Sequence, residues 1–234
     1  MFHFKQFSVD QSGCAMKINT DGVLLGAITQ ADSPETILDI GTGTGVIALM
    51  LAQRFTNAQI DAVEIDESAA QTAERNFKAS PFADRLNLYP TGFEHYFKEY
   101  SDKKYDLIVS NPPFYIGSLK SPGAKKALAK HADLDFFERL ISKISVSLSP
   151  VGLCWLVMPM SLSEWIIGYA AISGLYLQDI LAVRSYPESR PHRMILNLSS
   201  AEALFVAGEI TIYKSKGLYS EGYKELLQPY FLAF

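Results

Sequence analysis

The chain has 234 residues and a formal net charge of −4, with nearly half of its residues apolar and a fifth charged. That length suits one α/β domain with a sizeable core, and the acidic balance excludes broad, charge-driven coating of nucleic acid. No apolar run is long enough to cross a bilayer, no basic-then-apolar N-terminus reads as a secretory signal, and Cys14 and Cys154 lack metal-ligand neighbours, so a cytoplasmic protein with reduced thiols and no metal is expected.

The first element in chain order is a helix over 22–29, which Thr20-Asp21-Gly22 opens as a capped turn. An apolar strand over 36–40 follows. It runs into Gly41, Gly43 and Gly45 and then into a helix over 45–54. Glycines at alternate positions permit a tight turn and a close backbone approach to a ligand at a helix N-terminus. The spacing differs from the G-x-G-x-x-G of dinucleotide folds, and Asp39 stands where it would repel a pyrophosphate. A cationic or zwitterionic ligand such as S-adenosylmethionine fits better. The competing reading is an ordinary glycine-rich turn.

A second strand over 59–64 ends in carboxylates near the distance at which nucleotide folds place the acid for the ribose hydroxyls. Glu64 is assigned that role, with Asp66 in reserve, since Asp66 also suits the N-cap of a helix over 67–80. A strand over 86–89 leads into Pro90-Thr91-Gly92-Phe93 and a helix over 93–100.

The strand over 105–110 ends in Asn111-Pro112-Pro113-Phe114. Asn111 offers a side-chain carbonyl, Pro112 a backbone carbonyl and Phe114 a flat apolar face. The paired prolines, Pro112 and Pro113, keep the turn stiff and extended. Two acceptors beside an aromatic surface suit a planar base that carries an exocyclic amine. For a lone Asn-Pro-Pro the plainer reading is a strand-ending turn, and the glycine motif upstream is what favours the site.

Downstream, a helix over 133–148 precedes a strand over 152–158. Strands over 177–183 and 193–198 have no helix between them, which predicts an antiparallel pair. A further strand over 205–213 and a short helix over 220–230 complete the chain. Strand–helix alternation predicts a Rossmann-like, mostly parallel sheet of seven strands, covered on both faces, with an antiparallel hairpin toward the C-terminal end. Asp39, the glycine turn, Glu64 and Asn111 then fall together at carboxyl ends of strands, where open α/β sheets bind ligands. Trp155 and Trp165 read as core. The organisation expected is one domain over 1–234, with an N-terminal extension over 1–30 covering the cofactor site, a catalytic core over 31–200 and a C-terminal decoration over 201–234.

The glycine and Asn-Pro-Pro-Phe motifs together resemble class I S-adenosylmethionine-dependent methyltransferases that act on amino nitrogens. Phe4-Lys-Gln-Phe7, Cys14-Ala-Met-Lys17, Thr20-Asp-Gly22, Leu24-Leu-Gly26, Pro191-His-Arg193 and Tyr219-Ser220 narrow this. Together they resemble the bacterial tRNA1(Val) adenine-N6-methyltransferase family over essentially the whole chain. The resemblance implies S-adenosylmethionine as cofactor, the adenosine beside the anticodon as target, and Thr20-Asp21 folded over the cofactor. One departure concerns the cofactor adenine. The family pattern has an acid after the third strand, whereas 90–93 carries none, so the backbone around Gly92 and Phe93 is left for that contact.

An RNA partner must meet a local patch on so acidic a chain. Lys120, Lys125, Lys126 and Lys130 follow the Asn-Pro-Pro-Phe motif and could meet phosphates, as could Arg190 and Arg193, which cluster with Arg184 and His192. The plain alternative is a solvated basic loop. Rival functions are N-methylation of a protein glutamine or of another nucleic-acid adenine, and a non-catalytic RNA-binding module that retains the fold. Intact Asn111 and glycines speak against the last.

Overall fold

A computed structural model describes residues 1–113 and 124–234, with side chains from 134 onward in the second segment. The elements run in chain order as β1 (Phe2–His3), β2 (Ser8–Val9), α1 (Thr20–Ile28), β3 (Thr36–Ile40), α2 (Val46–Arg54), β4 (Gln59–Val63), α3 (Glu67–Lys78), β5 (Leu86–Tyr89), α4 (Phe93–Glu99), β6 (Tyr105–Ser110) and α5 (Ala124–Ser147). They continue as β7 (Leu148–Pro159), α6 (Met160–Ile172), β8 (Tyr176–Arg184), β9 (Arg193–Ser199), β10 (Val206–Thr211), β11 (Tyr213–Ser215), β12 (Leu218–Tyr219) and α7 (Glu221–Leu227).

The central sheet has eight strands in the order β10-β8-β9-β7-β6-β3-β4-β5. All run parallel except β9, which pairs antiparallel with both β7 and β8. The expected seven strands become eight because β10 adds to the outer edge of β8, parallel to it. A parallel sheet needs both faces covered, and β3, β4 and β6 at its centre are accordingly buried along most of their length. Helices α1, α2, α3 and α7 cover one face and α4, α5 and α6 the other, each over its own buried cluster. Trp155 is buried, and Trp165 packs partly buried against the second cluster.

Chain direction in the sheet reverses beside β3. From β3 the chain steps outward to β4 and β5, then returns to place β6 on the other side of β3. Such a switch point leaves a crevice at the carboxyl ends of the two strands. Ser110 closes its floor by donating its hydroxyl proton to the Ile40 carbonyl at 2.8 Å, which fixes the end of β6 against the end of β3.

The N-terminal segment is strapped along α3. Asn76 exchanges hydrogen bonds with the Asp10 backbone, Thr72 donates to the Ser12 carbonyl and Ser68 to the Gly13 carbonyl. Its beginning is tied to the far end of the chain, since Phe4 forms a β-bridge with Phe231 and Lys5 N–H donates to the Tyr230 carbonyl. Among the described residues, no helix is long and apolar enough to cross a membrane.

Candidate active site

The turn after β3 is built on backbone conformations that favour glycine. Gly41, Gly43 and Gly45 have φ of 74°, 59° and 82°. The N–H groups of Gly41 and Thr42 both donate to the Val63 carbonyl, clamping the turn onto the end of β4. The three glycines differ in what surrounds them. A Cβ on Gly41 or Gly43 would meet nothing within 4 Å, whereas a Cβ on Gly45 would lie 2.5 Å from the Phe77 ring. Gly41 and Gly43 therefore open onto free space, while Gly45 lets α2 start against α3. The sequence suggested close ligand approach for all three, and only Gly41 and Gly43 leave space for it.

Glu64 secures that space from β4. Its Oε2 accepts the Gly43 N–H at 2.8 Å and its Oε1 accepts the Asp66 N–H at 2.8 Å, leaving further lone pairs on both oxygens. Asp66 caps α3 by accepting the Ala69 N–H at 2.8 Å, the alternative foreseen for it.

Asp39 lies beneath the turn and is fully buried. Its Oδ2 accepts the Thr42 hydroxyl at 2.6 Å and the Ala48 N–H at 3.2 Å, while its Oδ1 has no hydrogen-bond partner. Burial pushes its carboxyl up to about 7, against the pull of the Thr42 and Ala48 hydrogen bonds and with help from the Glu64 charge. A buried, under-satisfied carboxyl below a turn that opens onto free space fits a ligand carrying positive charge. S-adenosylmethionine, with its ammonium and sulfonium, meets that condition.

The turn and the end of β4 border a cavity of about 390 Å³, behind whose wall Asp39 and Gly45 lie. Gly41, Gly43, Glu64 and Asp66 form one part of its wall, Gly92 and Phe93 another, and Ser110, Asn111, Pro112 and Pro113 a third. Segments far apart in sequence thus meet in one site. Asn111 has no side-chain hydrogen bond within the described residues, so its amide is available to a ligand. Gly22 in the first turn of α1 abuts it, a Cβ there lying 3.6 Å from Asn111 Nδ2.

The structure also enlarges the set. Ala15, Met16, Ile65, Glu94 and Phe136 line the same cavity. Glu94 immediately follows the stretch that lacks an acid, so a carboxylate does stand in this wall; Arg139 Nε donates to it at 3.3 Å. Its signal was present in the sequence, one residue beyond Phe93. Phe136, whose ring meets Phe93 edge-on at 5.5 Å, comes from α5, and nothing in its local pattern set it apart from the helix's core face.

Other expected residues stand elsewhere. Thr20 and Asp21 open α1 outside the cavity wall, and Asp21 accepts from Arg193 Nε at 2.7 Å. Arg190 and His192 are exposed in the β8–β9 loop. Arg184 pairs with Glu209. Phe114 and Lys120 lie outside the described residues, as do the side chains of Lys125, Lys126 and Lys130. No cluster of metal-ligating side chains occurs among the described residues.

Comparison with known proteins extends this picture. A family model described as methyltransferase small domain matches residues 15–163. A tRNA1(Val) (adenine(37)-N6)-methyltransferase from Pedobacter heparinus is 48% identical over 234 residues, covering 100% of this chain and 98% of the relative. The protein of the same name from Flavobacterium psychrophilum is 42% identical over 233 residues, with 99% of each chain covered. Among solved structures, a predicted O-methyltransferase from Agrobacterium tumefaciens superposes with a TM-score of 0.69 at 17% identity, covering 90% of this chain and 96% of that one. At that identity the likeness concerns the fold.

Proposed function

This chain belongs to the tRNA1(Val) (adenine(37)-N6)-methyltransferase family, and we propose that it methylates the exocyclic N6 amine of adenosine 37 in tRNA1(Val), with S-adenosylmethionine as methyl donor. The observation that carries this reading is the meeting of Asn111-Pro112 with Gly41, Gly43 and Glu64 around one cavity.

The donor supplies an electrophilic methyl on a sulfonium, already a good leaving group, so the protein's work is alignment and electrostatics. Gly41 and Gly43 leave room for it, and Glu64 presents acceptors for its ribose hydroxyls. The Asn111 side-chain carbonyl and the Pro112 backbone carbonyl accept the two hydrogens of the target amine. That contact draws the nitrogen lone pair out of conjugation and turns it toward the cavity. An amide is no general base, so Asn111 polarises and positions, and the proton is lost to water afterward. Phe114 supplies the stacking face for a base withdrawn from its loop, a contact of about 1–3 kcal/mol.

We read residues 1–234 as one catalytic unit. The placement of Ala15 and Met16 on the cavity wall supports a covering role for 1–30. A cytoplasmic location, with no obligate protein partner and no membrane association, accords with a tRNA substrate and with Cys14 and Cys154 as buried free thiols.

The test is transfer of labelled methyl from S-adenosylmethionine to a tRNA1(Val) transcript, followed by nucleoside analysis. N6-methyladenosine is expected, and none from a transcript with guanosine at position 37. Label in another nucleoside, or in protein alone, overturns the reading.

A further inference from the structure

We infer that the β8–β9 loop and the β11–β12 hairpin form a preorganised phosphate-docking surface for the RNA substrate, with Arg190, Lys214 and Lys216 as its contacts. This inference rests on the tRNA reading above and adds where the RNA backbone lies.

Topology brings the two segments to the same side of the sheet as the active site. β8 and β10 run parallel to β6, so the residues after Arg184 and Thr211 emerge at the carboxyl edge, where Asn111 also lies. β8 is three strand positions from β6 and β10 four, which at about 4.8 Å per strand puts this surface roughly 14–19 Å from the target base. That distance corresponds to several nucleotides along one strand of an A-form RNA stem. An RNA stem running from a base held at Asn111 along the carboxyl edge would reach it.

The surface is fixed before any ligand arrives. The Ile212 N–H donates to the Arg184 carbonyl and the Tyr213 N–H to the Ser185 carbonyl, at 3.0 and 2.9 Å, which sews hairpin to loop. Tyr186 meets Tyr213, Tyr213 stacks on Tyr219 and Tyr219 on Tyr223, with ring centroids 5.5, 5.0 and 4.9 Å apart. Ser189 closes the loop through its hydroxyl and N–H to Tyr186. Lys216 sits at the tip of the hairpin, ahead of Gly217, whose φ of 78° makes the turn. Cations on a rigid frame lose less freedom on binding than the same cations on a mobile loop.

Charge sorts the candidates. Arg184 is neutralised by Glu209, Arg193 by Asp21 and Lys224 by Glu221. Arg190, Lys214 and Lys216 are exposed and make no ion pair among the described residues. Glu188 is the one acid inside the loop, and Glu221 feels Lys214 as well as Lys224. On a chain of net charge −4, three unpaired cations on one rigid rim are placed to meet a polyanion.

The experiment uses the full chain and compares wild type with R190A/K214A/K216A. Affinity for tRNA1(Val) transcript is measured by anisotropy at several salt concentrations, alongside steady-state methylation and thermal denaturation. At about 0.15 M salt the triple variant is expected to bind tRNA at least tenfold more weakly, with its salt slope reduced by about 2–3. KM for tRNA should rise while kcat at saturating tRNA, the affinity for S-adenosylmethionine and the melting temperature hold. Reversal to R190K/K214R/K216R, which keeps the charges, should restore binding. A wild type that methylates tRNA1(Val) beside a triple variant with unaltered affinity and slope overturns this surface alone. A wild type that methylates no tRNA overturns the functional reading beneath it.

Discussion

Arg193 on β9 donates its Nε proton to Asp21 at 2.7 Å, joining two segments 172 residues apart and holding the first turn of α1. Both side chains are mostly buried, with 22% and 17% exposed. Gly22, the next residue, borders Asn111. The ion pair is therefore a brace for the helix that flanks the Asn111 amide.

Removing one partner takes a partly buried ionic contact from the other, an effect between that of exposed pairs and that of fully buried ones. Arg193→Ala and Asp21→Ala should each cost about 1–2 kcal/mol in urea unfolding. The double variant should cost less than the sum, since both changes remove the same contact. Strict additivity would show that the two residues act independently.

Asn111→Ala should lower kcat by about 100-fold or more at saturating tRNA, because the proposed mechanism uses its acceptor where charge develops in the transition state. The affinity for S-adenosylmethionine should change little, as Gly41, Gly43 and Glu64 remain. Isothermal titration and single-turnover methylation together check this. An Asn111→Ala enzyme of undiminished rate would remove the amide from the mechanism.

The glycine turn yields a contrast between neighbours. Gly43→Ala places a methyl in open cavity and forces an unfavourable φ, so cofactor binding should fall steeply with a stability loss of about 1 kcal/mol. Gly45→Ala drives a methyl into Phe77 and carries a comparable backbone penalty, so its loss of stability should be larger, about 2–4 kcal/mol. Thermal unfolding with and without S-adenosylmethionine separates the two. Equal stability losses would contradict the different surroundings.

Asp39 gives the apo-protein a pH signature. Its carboxyl is raised from 3.8 to about 7 by burial, so between those values the folded state holds a proton that the unfolded chain has released. Its contribution to stability is fully present below pH 3.8 and is lost as pH rises toward 7. Asp39→Asn, which cannot ionise, should flatten that component of the stability curve across this window. Chemical denaturation of the cofactor-free protein at intervals of pH measures it, and parallel curves for wild type and variant would dismiss the assignment.

How far the sequence reached can be read from particular elements. β3, β5 and β6 have the bounds expected of them, because short apolar runs closed by Gly, Pro or Asn leave little choice. β7 starts four residues before its expected beginning, at Leu148, where Ser149 is anchored to Asp106 by a side-chain bond at 3.0 Å. The partner of β10 is a matter of topology, and its alternation of side chains says nothing about which edge it joins. The same holds for the site. Local motifs pointed to Asn111 and Gly43, whereas Phe77 behind Gly45 and Arg193 beside Asp21 belong to contacts across the fold.

The bridge between Phe4 and Phe231 sets an order on biosynthesis. A ribosome makes the N-terminal segment first, yet that segment cannot find its β-partner until Phe231 has left the exit tunnel. Residues 10–13 can already lie along α3, so until then the N-terminal segment is anchored from one side only. The Asn111 strand is thus made long before the residues that anchor the N-terminal segment from its other end.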